Sequence, residues 1–182
     1  TVFSATAANA APQVADVAVE ATSPNFLVDD DLWVSYTLTD ATTVAVAWYQ
    51  NGSAVTQLYL PFEGGPANAI TDYSGNSQTT TAVGTVSSAW QANGGHDGNG
   101  ALAFSSSFYI SAGDVFPVSN SYTKAAWVKR NNVNASNNIL SSAAVTGGHV
   151  LYASQSQSFR LSAGQVGSWN IVQDPTSLDP DV

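Results

Sequence analysis

Apolar and polar residues alternate with a period of two along much of this chain, the spacing of a strand with one face on a core and the other in water. The cleanest instance is LWVSYTLTD, which sets Leu32, Val34, Tyr36 and Leu38 on one face and Trp33, Ser35, Thr37 and Thr39 on the other. A strand is predicted before it in VADVAVEA, where Val14, Val17 and Val19 stand among small or polar residues ahead of the turn-like TSPN. VAVAWYQNG repeats the behaviour and ends at Asn51-Gly52, a strong hairpin signal. Further short runs follow: VTQLYLPFEG, TTTAVGTVSSAW, GALAFSSSFYISAG, SYTKAAWVKR, NNILSSA, GHVLYAS, SFRLSAG and SWNIVQD. Clusters of Gly, Asn, Asp and Ser separate them, and no window holds the i, i+3, i+4, i+7 pattern of a helix for three turns. The class is therefore all-β. Trp48 and Trp127 fall within strand patterns and are predicted to pack in the core, whereas Trp33 shares its strand's polar face and is predicted to serve either an interface or a contact between modules. Residues 1–13 are small, Ala-rich and without a period, closed by Pro12, and read as an extended arm.

Composition narrows the function classes. At 182 residues and 44% hydrophobic, the chain has enough apolar material for a packed sandwich. Cysteine is absent, which excludes disulfides, thiolate metal sites and thiol nucleophiles. Thirteen acids against four bases leave a net charge of -9. A phosphate-binding surface needs clustered cations, and only Lys124, Lys129, Arg130 and Arg160 are present, so nucleic acid is excluded as a partner. No run of 18 apolar residues occurs, and no membrane span is predicted. The remaining surface is neutral and hydroxyl-rich, as in secreted adhesive modules, which points to an extracellular or cell-surface location. TVFSATAANAAPQ has neither the basic start nor the compact apolar core of a signal peptide, so Thr1 is expected to be a processed terminus.

Two stretches resemble known families. Residues 12–56, with an acidic-Leu second strand and Trp48-Tyr49 ahead of Asn51-Gly52, resemble the first half of an immunoglobulin-like or PKD-like module of microbial surface proteins. Residues 58–182 resemble the laminin-G-like family: LYLPFEG as the opening strand, TDYSGNSQ as the next loop, GHDGNGALAFSSSFYISAG as a strand and its hairpin, and SYTKAAWVK as a further strand. The resemblance implies a concanavalin-A-like antiparallel jelly-roll over 58–182, lacking the family's last strands, behind a partial immunoglobulin-like sheet over 14–57 and the arm over 1–13. It also implies Ca²⁺ in the loop of Asp72, Ser74, Gly75 and Asn76; an Asx-turn that only caps the loop is the competing reading.

A carbohydrate site needs aromatic faces for sugar rings beside amide and carboxylate groups. Trp90, Tyr109, Tyr152 and Trp169 are the candidates. Asp29, Asp30 and Asp31 read as a solvated loop, and His96 and His149, flanked by Gly, as exposed polar residues. Glycoside hydrolysis requires two suitably spaced carboxylates. Glu20 and Glu63 stand far apart, Asp179 and Asp181 fall in the terminal loop, and no Gly-x-Ser-x-Gly elbow, His-Glu-x-x-His or phosphate loop occurs, so no enzyme is expected. Two functions follow: adhesion or carbohydrate binding to a surface glycan or glycoprotein, and assembly of copies into a filament by strand donation from the arm.

Overall fold

The first strand pair shows how sequence pattern and ladder geometry meet. In the computed structural model, which describes residues 11–41, 43–115, 122–130, 136–142, 148–153, 155, 158–165 and 171–177, strands β1 (Gln13–Ala21) and β2 (Leu32–Thr39) pair antiparallel. The arm predicted over 1–13 falls largely outside the described residues. The register sets Val14 opposite Leu38, Val19 opposite Val34 and Ala21 opposite Leu32. Val14 and Val19 are an odd number of residues apart and would face opposite ways on a regular strand. A bulge between Ala15 and Ala18, with Asp16 at φ 53°, turns them onto one face with Leu32, Val34, Tyr36 and Leu38. The other face is polar, and there the Trp33 indole N–H donates to Glu20 Oε2 at 3.2 Å. Asp30 ties the intervening loop, accepting from Ser23 Oγ and from the Leu27 N–H, both at 2.6 Å.

The chain divides into two compact units, Thr1–Val46 and Ala47–Val182. The sequence reading placed this division between residues 57 and 58. Within the second unit, β3 (Tyr49–Gln50) and β4 (Ser53–Ala54) form the hairpin predicted at Asn51-Gly52. Both turn residues have positive φ, 51° and 81°, which is what a two-residue hairpin turn requires and why Asn-Gly suits it.

Three short elements enclose the second unit's small core: the pair β5 (Thr81–Val83) and β8 (Tyr109–Ser111), the single helical turn α1 (Val86–Ala89), and the pair β6 (Trp90–Gln91) and β7 (Ala101–Leu102). Ala69, Ala89, Leu102 and Phe108 are buried there, with Phe62, Ile70, Trp90 and Ile110 packed around them. Phe62, Phe104 and Phe108 form a chain of tilted and edge-on rings, 5.9 and 5.7 Å between centroids.

Strands β9 (Asn137–Ser141), β10 (His149–Ala153), β11 (Arg160–Gln165) and β12 (Ile171–Ser177) complete the described elements as one antiparallel sheet in the order β12-β11-β10-β9. All paired strands are antiparallel and the only helical element among the described residues is one turn, so the protein is all-β. No helix among the described residues is long and apolar enough to cross a membrane.

Residues 122–130 carry no strand, although SYTKAAWVKR has strand alternation. Lys124 and Arg130 are the members that turn inward: Lys124 Nζ donates to the Leu140 carbonyl at 3.2 Å, and the Arg130 guanidinium lies 4.1 Å from the Phe159 ring centre. Trp127 is 80% exposed, not in the core as predicted. Trp48 is half-buried. His149 also departs from its predicted exposure. It opens β10 on the buried face shared with Leu151 and Ala153, 5.0 Å from the Tyr122 ring.

Burial pushes the Lys124 ammonium down to about 8 from 10.5. Between those values the unfolded chain holds more protons than the folded one, so this group makes stability rise with pH across that window. We expect thermal stability measured from pH 8 to 10 to rise in the natural protein more steeply than in Lys124→Met, which also gains at pH 7 by losing the buried charge. Parallel curves for the two proteins would contradict the burial of Lys124.

Candidate functional site

The loop at Asp72 is built from its own donors. Asp72 Oδ1 accepts from the Tyr59 N–H at 3.0 Å and the Ser74 N–H at 2.9 Å; Oδ2 accepts from Ser74 Oγ at 2.8 Å and the Gln78 N–H at 2.9 Å. Burial raises the pKa of this carboxyl, but the three backbone N–H groups and the Ser74 hydroxyl outweigh it, and Asp72 titrates below the ordinary carboxylate value. Ser74, almost fully buried, receives the Asn76 N–H at 3.1 Å, and Asn76 Nδ2 donates to the Thr56 carbonyl at 2.9 Å. Gly75, at φ 92°, has the Tyr49 hydroxyl where a β-carbon would stand. These residues fasten the 56–59 segment and the β3–β4 hairpin to the loop. Ca²⁺ requires six to eight oxygens turned toward it, whereas both Asp72 oxygens here face hydrogen-bond donors. The Asp72 carboxylate thus spends its acceptor positions on donors of its own loop as an Asx-type lock, and Ca²⁺ at Asp72, Ser74, Gly75 and Asn76 would have to displace them. Among the described residues no three His, Asp or Glu gather where they can hold a metal.

The predicted aromatic candidates are distributed over different sheets. Trp90 is half-buried in β6 against the core, and its indole N–H donates to the Phe62 carbonyl at 2.9 Å. Its faces are thus given to packing. Tyr109 stands exposed in β8. Tyr152 is half-buried in β10, opposite Ser162. Trp169 lies outside the described residues.

A different aromatic group has the geometry of a platform. The Trp127 and His96 rings stack with centroids 3.6 Å apart and planes within 10°. Both residues are exposed, so the imidazole backs one face of the indole while the other is open to solvent. Next to His96, Asp97 is held by Asn99, whose Nδ2 donates to Oδ2 at 3.0 Å and whose N–H donates to Oδ1 at 3.1 Å. These bonds, the side-chain one foremost, keep the Asp97 carboxyl below its ordinary value. Tyr59 completes the surroundings: burial, then the charges of Glu63 and Asp97, push its phenol up. Glu63 itself anchors the adjoining loop, with Oε1 accepting the Gly100 N–H at 2.9 Å.

The arrangement offers a flat apolar face backed by an imidazole whose chain neighbours include a carboxylate and an amide, suited to stacking a ring with apolar and hydroxyl faces. Glu20 and Glu63 lie in different units, each accepting a hydrogen bond from the fold itself. Sequence reasoning missed Trp127 because alternation assigned it to a core strand; the signal available was its odd-numbered companions Thr123, Ala125 and Lys129, a side poor in large apolar residues. Comparisons with protein-family models, with curated proteins and with solved structures return no match for this chain.

Proposed function

We propose that this chain is a non-catalytic extracellular module that binds carbohydrate on a cell or matrix surface, with the Trp127 indole as its platform. The observation that carries this reading is an 80% exposed tryptophan held flat by a stacked histidine. An indole left in water costs hydrophobic free energy that a sugar ring recovers by covering it. Asp97 and Asn99, one and three residues along the chain from the stacked His96, supply hydrogen-bonding groups already ordered by their mutual bonds. The net charge of -9 favours neutral glycans over sulfated or sialylated ones, which the acidic surface repels. The four laminin-G-like motifs over 58–182 support a jelly-roll setting for such a site, because that architecture is shared by many lectins.

Titration of tryptophan fluorescence with neutral oligosaccharides selected on a glycan array tests the proposal. Trp127→Ala is expected to weaken binding about tenfold or more, in line with ~1.5 kcal/mol for an aromatic stack. His96→Ala is expected to have a smaller effect of the same sign. Unchanged affinity in Trp127→Ala, or no glycan bound by the natural protein, would remove the site.

A further inference from the structure

Strands β10, β11 and β12 carry a trough on one face. Their registers set Leu151 opposite Ala163 and Ala163 opposite Val172, so the three side chains share that face in a row across the sheet. The middle member is the smallest of the three, and Gly164 beside it has no side chain, which leaves the floor low between Leu151 and Val172. With Tyr122 and Lys124 these residues line a cleft of about 340 Å³, within the size range of small-ligand sites. Its whole lining comes from the second unit.

Lys124 is the one charged residue in that lining. Its Nζ donates to the Leu140 carbonyl at 3.2 Å and lies 5.7 Å from the centre of the Tyr122 ring. An ammonium has three protons to give, and among the described residues the Leu140 carbonyl is the hydrogen-bond acceptor it reaches. No carboxylate offsets its burial, which is what draws its pKa down. A half-buried cation with donors to spare is stabilised by an anion that brings the missing charge, and the apolar floor beside it is best covered by hydrocarbon. One cation matches one negative charge. A phosphate monoester would carry a second into a chain whose net charge is already -9.

We infer that this cleft binds a small aliphatic carboxylate, its head on Lys124 Nζ and its hydrocarbon along Leu151, Ala163 and Val172. The site shares no lining residue with the Trp127 platform and is independent of what that indole binds.

Amide chemical-shift titrations of the full chain at pH 7 with hexanoate, hexanol, hexylammonium and hexyl phosphate test this. Hexanoate is expected to shift the amides of β10 and β11 and to saturate in the millimolar range. Hexanol is expected to bind about tenfold more weakly, hexyl phosphate more weakly than hexanoate, and hexylammonium not at all. Lys124→Met is expected to bring hexanoate down to the level of hexanol while hexanol still binds, because the floor remains. Ala163→Leu, at an exposed position, fills the trough and is expected to remove both ligands. Amide spectra away from the cleft check that both variants keep the natural fold. Trp127→Ala is expected to bind hexanoate as the natural protein does, which separates this site from the indole platform. Equal affinity for hexanoate and hexanol in the natural protein would overturn the inference. So would hexanoate binding that Lys124→Met leaves unchanged, tighter binding of hexyl phosphate, or no saturable shift in the natural protein.

Discussion

Gly100→Ala is expected to destabilise the second unit by about 1–3 kcal/mol, the range of overpacking at a buried site. A β-carbon built on Gly100 stands 2.3 Å from the Phe62 carbonyl oxygen, 3.1 Å from Trp90 Nε1 and 3.2 Å from Glu63 Oε2. The nearest atom is backbone, which cannot swing aside. It is also the acceptor of the Trp90 indole N–H, and the Gly100 N–H is itself bonded to Glu63. One methyl therefore strains two hydrogen bonds that fix the 62–63 segment to the β6–β7 hairpin. Urea unfolding followed by tryptophan fluorescence measures the loss, which corresponds to a melting point lower by roughly 3–12 °C at ~3–4 °C per kcal/mol. Gly98→Ala is the control. Its φ is 81° but nothing stands within 4 Å of the added carbon, so it isolates the conformational cost of about 1 kcal/mol. Equal losses at the two positions would show that the packing around Gly100 is looser than described.

The second large effect is expected at Asp72. Asp72→Ala removes the acceptor of three backbone N–H groups and of the Ser74 hydroxyl, in a loop where Ser74 is 1% exposed. Donors left without partners cost ~1–3 kcal/mol each when shut from water, and partial solvation here reduces the sum to about 3 kcal/mol. Asp72→Asn is expected to lose less, since one oxygen remains while the amide turns its own N–H groups toward donors. The same carboxylate contributes an acid limb. Its folded pKa lies below the unfolded value of 3.8, so its stabilisation is complete above that value and disappears as pH falls through the folded one. His149, lowered from 6.5 by burial and then by Lys124, adds a loss in the same direction below pH 6.5. Melting curves of the natural protein and Asp72→Asn from pH 7 to 2 are expected to converge at the acid end. A constant separation would mean that Asp72 is held by something other than its charge. If added Ca²⁺ instead raises the stability of the natural protein but not of Asp72→Asn, the lock is a cation site after all.

Local sequence determined much of this protein by itself. The all-β class, the LWVSYTLTD strand and the Asn51-Gly52 hairpin follow from period-two alternation and from the need for positive φ at two successive turn residues, both interactions between near neighbours. The Asx-type reading of the Asp72 loop was open in sequence for the same reason, because its Ser74 bonds span two residues. What only the tertiary structure decided depends on distant partners. Alternation states that a strand has two faces but not which one is covered. In the 122–130 segment Lys124 reaches the Leu140 carbonyl and Arg130 covers Phe159, while Trp127 stacks on His96 and stays exposed. For His149 the choice was made by the β9–β10–β11 register, which buried the position beside Leu151 and Ala153. The platform of His96 and Trp127 joins residues 31 positions apart in sequence, and the common face of Val14 and Val19 required a bulge that no local motif announced. Burial is a property of what the rest of the chain brings to a side chain, and that information is not local.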